Sequence, residues 1–271
     1  SRATALITEN GRVTGVRAVA GGAAAEYRCR LLVGADGSGS TVARLLERWH
    51  DQLAGEALLT GQSLNLDFHS VPYFGEHPLV ESHYLSKRSR RQPSILVFLA
   101  QDADSQVFCY SNADIRKGEE ADEVFRFIAF WQRQQGSVPS HLVFDSKLTT
   151  YQGLDRLDAA GITFLTLRRR SPGLLAEIAN LPPSAWRTVT LDMAHRKHRT
   201  PRIYERKAKP RQRTFRQFFI KDLGHDQPTI LLTNDTRSTP RTIIARYARR
   251  MLIENALADA VRFFHIDALS S

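Results

Sequence analysis

Apolar and polar positions through residues 141–170 follow the order strand, helix, strand. An apolar run at 142–144 leads to Asp145, a helical repeat occupies 151–157, and a second apolar run at 162–167 ends in three arginines. This order is the unit from which parallel sheets are built. An acidic side chain at the end of a buried strand faces a ligand, a partner charge or water, because an unpaired carboxylate among apolar groups is costly. Asp145 is therefore the first candidate for chemistry, and a helix cap is the plain alternative.

The pattern between residues 45 and 140 predicts a short helix, three strands and a longer helix. In the first of these strands, Leu64 and Leu66 alternate with Asn65 and Asp67, so the two pairs lie on opposite faces. The other two strands are joined by a turn at 102–105. Apolar residues of the longer helix recur at i, i+3, i+4 and i+7, which indicates one buried stripe: Val124, Phe127, Ile128 and Trp131.

From residue 63 to residue 170 the predicted elements run strand, strand, strand, helix, strand, helix, strand. This is the order of the ribonuclease H fold, an α/β architecture with a mixed sheet and flanking helices. In that fold the first and fourth strands lie side by side at the centre of the sheet, so Asp67 and Asp145 would project from neighbouring strands at the same edge. Two carboxylates so placed can share a divalent cation, which relieves the repulsion between them.

The segment 171–228 interrupts this alternation and carries much of the positive charge. It contains two adjacent prolines, a candidate strand at 186–191 and a strand-like run at 216–221, so we expect an insertion of irregular or β structure. The chain has a net charge of +10, and residues 165–221 alone hold fifteen Lys or Arg against three acids. Positive charge concentrated in one segment is typical of proteins that bind a polyanion, and nucleic acid is the first such partner to consider. The alternative is a solvated loop whose charge only aids solubility.

The last predicted elements are a strand at 229–234 and a long helix. Thr239 at the cap and Pro240 in the first turn begin the helix, which continues to about residue 262. Four of its residues are spaced +3, +4 and +7 and therefore share one stripe: Tyr247, Arg250, Glu254 and Val261. By itself this stripe is an ordinary surface pattern.

The stripe on the helix has a second interpretation when its glutamate is considered together with two distant aspartates. Asp67, Asp145 and Glu254 are separated by 77 and 108 residues, and the longer gap holds the basic insertion. This arrangement resembles insertion-sequence DDE transposases. In that family the catalytic glutamate lies in a Tyr-x2-Arg-x3-Glu-x6-Lys signature, and the ribonuclease H core carries a β-rich insertion before it.

The signature of that family is found in the stretch YARRMLIENALADAV. Tyr247, Arg250 and Glu254 match it, and Val261 stands at the lysine position. The resemblance covers about residues 45–271.

The resemblance implies that Asp67, Asp145 and Glu254 are the catalytic residues and the ligands of Mg²⁺ or Mn²⁺. Cutting a phosphodiester and joining the freed 3′ hydroxyl to another strand requires activation of a nucleophile and stabilisation of a leaving oxygen. Two divalent ions about 3.5–4 Å apart do both, and carboxylate oxygens are the hard ligands that Mg²⁺ prefers. Whether this chain is active is left open, because it resembles a fused and truncated form.

The same resemblance places DNA against basic residues. Tyr247 and Arg250 are expected at a phosphate of the transposon end, because a planar guanidinium binds two phosphate oxygens. Six further residues are expected to follow the DNA backbone and to give salt-sensitive affinity: Arg168, Arg169, Arg170, Arg196, Lys197 and Arg199. The implied partners are transposon ends and target DNA, with a homodimer in a synaptic complex.

Residues 1–44 form a second region, for which strands with tight turns are predicted. The stretch LLVGADGSGSTVAR resembles the Gly-Ala-Asp-Gly segment of flavin-dependent aromatic monooxygenases, which implies flavin contacts for Asp36 and Gly37. No GxGxxG turn precedes it to hold a pyrophosphate, so FAD is not expected to bind. We interpret 1–44 as a remnant of such an enzyme. It is fused to a transposase core at 45–271 that ends soon after its catalytic helix.

Composition limits the classes of protein to which the chain can belong. Cys29 and Cys109 are too few for a disulfide framework or a zinc cluster, and no apolar run has the length of a membrane span. We expect a cytoplasmic bacterial protein, associated with the nucleoid and not with a membrane. Two other functions stay open. A fragment of an FAD-dependent monooxygenase would be yellow, and a basic DNA-binding protein without catalysis would bind duplex DNA but not nick it.

Overall fold

Five α-helices and thirteen β-strands form in the part of the chain that the computed structural model describes. The described residues are 2–9, 12–20, 23–28, 41–61, 63–74, 80–85, 90–116, 118–191 and 198–264. In chain order the elements are β1 (Arg2–Glu9), β2 (Arg12–Ala20), β3 (Ala23–Arg28), α1 (Thr41–Gly55), β4 (Leu64–Pro72), β5 (Ser82–Leu85), β6 (Arg90–Asp102), β7 (Phe108–Asn112), α2 (Glu120–Gln135), β8 (His141–Phe144), α3 (Tyr151–Ala159), β9 (Thr163–Leu167), α4 (Pro172–Asn180), β10 (Arg187–Thr188), β11 (Arg202–Ala208), β12 (Phe215–Lys221), β13 (Thr229–Thr233) and α5 (Pro240–Phe264).

Ten strands form one mixed sheet, in the order β10-β11-β12-β13-β9-β8-β4-β6-β5, with β7 also paired to β6. β4 and β8 are parallel neighbours, as are β8 and β9, whereas β4 pairs antiparallel with β6. The first and fourth strands of the predicted ribonuclease H order therefore lie side by side. The prediction of an α/β fold with a mixed sheet and flanking helices is confirmed.

The two faces of the sheet bury different side chains, because successive residues of a strand point to opposite sides. Phe144 lies in a core formed with α2 and α3. Its neighbour Val143 lies in a second core with Ile243 and Ile244 of α5. α5 therefore covers the face to which Val143 and, two residues on, Asp145 belong.

α2 forms as its sequence indicated. All four residues of the predicted stripe are buried: Val124, Phe127, Ile128 and Trp131. Gly136 ends the helix with a φ of 70° and donates its N–H to the carbonyl of Gln132 at 2.9 Å. Glycine suits this position because the left-handed conformation costs it nothing. The amphipathic pattern thus predicted both the helix and the face it buries.

The segment 171–228 differs in two ways from the predicted insertion of irregular or β structure. It begins with α4, whose N-terminus is capped by the Ser171 hydroxyl, which accepts a hydrogen bond from the N–H of Leu174 at 3.3 Å. Serine followed by Pro172 is a helix-start signal that the sequence analysis missed. In addition, β10, β11 and β12 extend the main sheet beyond β13.

Acidic residues of α3 hold the turn between β11 and β12. The buried Asp155 carboxylate accepts backbone hydrogen bonds from Gln212 at 3.3 Å and Arg213 at 3.1 Å. Asp158 forms an ion pair with the Arg213 side chain and accepts a hydrogen bond from Asn234 at 2.9 Å. The basic hairpin is therefore fixed to the body of the sheet, which contradicts the alternative of a solvated loop for β11 and β12.

The N-terminal strands form a second, three-stranded antiparallel sheet in the order β1-β2-β3. Glu9 pairs with Arg12 across the first turn, so the predicted hairpin is confirmed. Asp36 and Gly37 lie outside the described residues, and their flavin-like role stays a prediction. None of the described helices is long and apolar enough to cross a membrane.

Candidate active site

Asp67 and Asp145 occupy matching positions on adjacent parallel strands. Asn65 of β4 lies opposite Val143 of β8, and the same offset carries Asp67 to the level of Asp145, directly after β8 ends. Each acid is two residues beyond that pair, so both belong to the face that α5 covers. Because neighbouring strands are about 4.8 Å apart, the pairing places the backbones of two of the three acids that the sequence analysis singled out near each other.

Asp67 forms an ion pair with Arg250 of α5. Arg250 Nη2 donates to Asp67 Oδ1 at 3.0 Å, and the two side chains are 6% and 15% exposed, respectively. The backbone N–H of Phe68 donates to the same carboxylate oxygen at 3.0 Å. The arginine that was expected at a DNA phosphate thus contacts a candidate metal ligand in the free chain.

Asp145 is half-buried and opens onto a cleft. Its Oδ1 accepts a hydrogen bond from Ser146 Oγ at 3.1 Å, and its carbonyl accepts one from the N–H of Leu148 at 3.1 Å. Across the described residues, no basic side chain forms an ion pair with the Asp145 carboxylate. The cleft has a volume of about 840 Å³. Its lining includes Asp145, Arg168, Arg169, Arg170, His225, Asp226 and Tyr247.

The N-terminal half of α5 is anchored to the sheet. The Thr239 hydroxyl accepts a hydrogen bond from the N–H of Thr242 at 3.2 Å, so the predicted helix start is confirmed. Ile243 and Ile244 are 0% and 3% exposed and pack in the core beside β8 and β9. This packing fixes which side of α5 faces the two acids.

Two of the signature residues, Tyr247 and Arg250, lie along the side of α5 that faces the sheet. Tyr247 lines the cleft and contacts the core that contains Val143. Arg250 follows one turn later and reaches Asp67. Glu254 lies a further turn along α5, but its side chain is outside the described part of the chain. Its position beside the other two acids therefore stays a prediction.

A buried aspartate before α5 was missed by the sequence analysis. Asp235 is 7% exposed, and its Oδ1 accepts the N–H groups of Arg237 and Ser238 at 2.9 Å each. Arg246 of α5 contacts the other oxygen at 3.1 Å. Burial acts to raise the pKa of Asp235, but the hydrogen bonds from Ser238, Arg237 and Arg246 outweigh it and lower the pKa to about 2. An aspartate before a short Ser/Thr-rich loop is a turn signal that could have revealed it.

The structure gathers only some of the predicted DNA-binding residues. Arg168 extends from β9, with its N–H bonded to the carbonyl of Ile230 at 2.8 Å and its guanidinium bonded to Gln217. Arg169 and Arg170 follow it, both exposed, into the cleft. Arg199 is exposed before β11 and does not line this cleft. The other two predicted contacts lie outside the described residues: Arg196 and Lys197.

Asp67 and Asp145 fit a divalent cation by their chemistry and their placement. Both supply hard carboxylate oxygens, from neighbouring strands and on one face. In the described ranges, no group of three or more His, Cys, Asp or Glu side chains lies together as a metal cluster. The implied third ligand, Glu254, has its side chain outside those ranges, so the full set of three stays a prediction.

Comparison with protein families decides the identity. The model of the family described as "Transposase DDE domain" matches residues 105–271, which is more than half of the chain. The chain belongs to this DDE transposase family. Asp145 and Glu254 lie inside the matched region of this transposase, and Asp67 precedes it.

Comparison with solved structures supports the fold. This DDE transposase is similar to the piggyBac transposase in a cryo-EM structure of its synaptic complex with hairpin DNA, with a TM-score of 0.50 and 10% sequence identity. The match covers 84% of this chain and 48% of that one, so the chain spans about half the length of that relative. At this identity the likeness supports the ribonuclease H-like fold alone. A search of curated proteins gives no match.

Proposed function

We propose that this DDE transposase catalyses metal-dependent cleavage of a DNA strand and transfer of the cut strand to a second DNA. Asp67, Asp145 and Glu254 are the proposed catalytic carboxylates. DNA transposition as the general function follows from the family. The observation that supports the finer proposal is the parallel pairing of β4 with β8, which ends two residues before Asp67 and Asp145, together with the arginine-lined cleft onto which Asp145 opens.

The carboxylates of Asp67, Asp145 and Glu254 would hold Mg²⁺ or Mn²⁺. When bound, such ions lower the pKa of a coordinated water or hydroxyl and neutralise charge on the leaving oxygen. The chain itself would hold these carboxylates in position. β4 and β8 pair in parallel just before Asp67 and Asp145, so the backbone at both acids is supported by the same ladder. The bond from the N–H of Leu148 to the Asp145 carbonyl closes the turn that follows.

Arginines at the end of β9 would bind the DNA backbone. Arg169 and Arg170 are exposed and line the same cleft as Asp145. Arg170 is oriented by a hydrogen bond to Gln227 at 2.8 Å. Contacts from arginine to phosphate fix the position of the duplex and give an affinity that falls as salt rises.

The proposed partners follow from this cleft and from the family. They are transposon ends and target DNA, together with a second copy of the chain in a synaptic complex. The support is the basic lining beside Asp145 and the match to transposases. The bacterial nucleoid is the proposed place of action, because that is where such DNA lies.

Removing the Asp145 carboxylate tests the proposed chemistry. Asp145→Asn keeps the shape of the side chain but removes the charge that a divalent ion needs. We expect nicking of supercoiled plasmid in Mn²⁺ to fall by about 100-fold or more, because the metal site supplies several kcal/mol of transition-state stabilisation. The measurement is the initial rate of nicked-circle formation.

Asp114→Asn is the matched control, because Asp114 is exposed and lies in the connection between β7 and α2. This variant should nick at the rate of the unaltered chain. If Asp145→Asn also retains that rate, Asp145 is not part of the chemistry and the proposed function is wrong.

A basic DNA-binding protein without catalysis is the second candidate. It is favoured by the pairing of Asp67 with Arg250, which places a guanidinium on a carboxylate that catalysis would require. Such a protein would bind duplex DNA with a steep dependence on salt. It would show no nicking in Mg²⁺ or Mn²⁺, so the plasmid assay separates the two functions.

A further inference from the structure

The ion pair between Arg250 and Asp67 places a fixed positive charge where the proposed function needs a divalent cation. Arg250 Nη2 lies 3.0 Å from Asp67 Oδ1, and both side chains are largely buried. Two cations cannot share one carboxylate oxygen at this distance without strong repulsion. A divalent ion therefore reaches this oxygen of Asp67 only if the guanidinium leaves it.

The backbone of Arg250 is held in place, so its departure must be a movement of the side chain. Four residues before it, Arg246 forms an ion pair with the buried Asp235 at 3.1 Å. Ile243 and Ile244 are buried against the same face of the sheet. These contacts fix the N-terminal half of α5, so the guanidinium can leave Asp67 only by rotation about the side-chain torsions of Arg250.

A destination for the guanidinium lies within one helical turn. Tyr247 is three residues before Arg250, about 4.5 Å along the helix axis, and it lines the cleft that holds Arg169 and Arg170. A DNA phosphate drawn to those arginines would enter beside Tyr247. A guanidinium binds phosphate through two parallel hydrogen bonds, which makes phosphate a strong competitor for Arg250.

We infer that Arg250 is a positioning residue that keeps divalent cations from Asp67 Oδ1 until a DNA phosphate accepts its guanidinium. The inference rests on the proposed function and deepens it, because it makes assembly of the metal site depend on DNA. Asp67 has a cationic partner both before and after the exchange, so neither end state leaves the partly buried carboxylate uncompensated.

Coupling of this kind is reciprocal. If DNA raises the affinity of the chain for a divalent ion by some factor, the ion raises the affinity for DNA by the same factor. The chain would therefore hold metal weakly when no DNA is bound. Nicking of DNA outside a properly docked complex would be suppressed.

The test is a titration of the whole chain with Mn²⁺ alone, followed by calorimetry or by the electron paramagnetic resonance of free Mn²⁺. Arg250→Gln removes the positive charge from Asp67 and keeps a polar side chain. It should bind Mn²⁺ about tenfold more tightly than the unaltered chain, within the range usual for coupled sites. Equal affinities in the two proteins would overturn the inference.

Arg249→Gln is the matched control for this titration. Arg249 is the neighbouring residue on α5, is 59% exposed and pairs with Asp104 rather than Asp67. The substitution removes the same charge at almost the same place. Arg249→Gln should leave the Mn²⁺ affinity unchanged. If both variants bind Mn²⁺ more tightly by the same factor, the gain comes from the lower net positive charge of the protein and not from the contact with Asp67.

A second arm uses the unaltered chain and therefore does not depend on whether Arg250→Gln folds. A short DNA duplex should tighten Mn²⁺ binding by about tenfold, and Asp67→Asn with the same duplex corrects for Mn²⁺ bound by the DNA. Absence of this tightening overturns the inference.

Asp67→Asn also separates the two hypotheses. If it leaves Mn²⁺ binding intact, the metal site of the proposed function is wrong. If it abolishes binding while Arg250→Gln matches the unaltered chain, only the role of Arg250 is wrong.

Discussion

Single side-chain contacts decide how the acids of this transposase are arranged. Arg250 meets Asp67 across 183 residues of sequence. No local pattern predicts such a contact, because it depends on where α5 crosses the sheet. Asp67 and Asp145 were predictable for the opposite reason, since each is an acid in or after an apolar strand. The arginine partner of Asp67 could be found only from the packing.

A prediction at this scale concerns Asp235, which anchors α5 through Arg246. Its pKa is lowered from 3.8 to about 2, so it stabilises the fold fully above pH 3.8 and loses that effect as pH falls through 2. Asp235→Asn should lower the free energy of unfolding by about 2 kcal/mol at pH 7, from the size of the pKa shift. The measurement is urea unfolding at pH 7, 5 and 3.

The deficit of Asp235→Asn should be the same at pH 7 and pH 5 and smaller at pH 3. A deficit that does not change over this range would mean that the charge of Asp235 does not stabilise the fold. Asp226→Asn, at an exposed position, serves as the comparison.

At the scale of elements, the sequence predicted those with strong local periodicity. α2 and the strands β4, β6, β7, β8 and β9 were predicted in the right order, because apolar spacing and turn residues mark them. α4 was missed although Ser171 and Pro172 mark its start. The pairing of β10, β11 and β12 with the main sheet was not predicted, because the order of strands in a sheet depends on tertiary packing and not on local sequence.

The start of α5 gives a prediction for one element. Thr239→Ala removes the hydroxyl that accepts the N–H of Thr242, and the orphaned donor is left to water. The loss should be about 1 kcal/mol in the free energy of unfolding, which is typical of a helix cap. Thr236→Ala, three residues earlier and exposed, should change stability far less. Equal losses in urea unfolding would argue against the cap.

At the scale of the whole molecule, the order of the strands determines which basic residues lie near the two acids. The helices α2 and α3 pack on one face, and α5 with the two acids lies on the other. The arginines that follow β9 line a cleft on the side of the acids. The sequence showed where the positive charge lies along the chain, but only the sheet order showed which part of it approaches Asp145.

The salt dependence of DNA binding tests this arrangement. Replacing both Arg169 and Arg170 by Gln should reduce the slope of log K against log salt by up to about 1.8, because each phosphate contact contributes about 0.9. The matched control replaces Arg116 and Arg133, which are exposed at and before α2, on the far side of the sheet. Equal changes of slope in the two double variants would show that DNA does not use the cleft.

The continuous sheet sets the spacing between the basic hairpin, formed by β11 and β12, and the acid that follows β8. β12, β13, β9 and β8 are successive neighbours, so the basic hairpin stands three strand spacings, about 14 Å, from β8, the strand that Asp145 follows. Asp155 of α3 also accepts backbone hydrogen bonds from the hairpin turn, which attaches the hairpin to the helix layer on the sheet. A duplex lying across both would present the same bond to the acids each time. The position of the cut would then be set by its distance from the DNA contact at the hairpin.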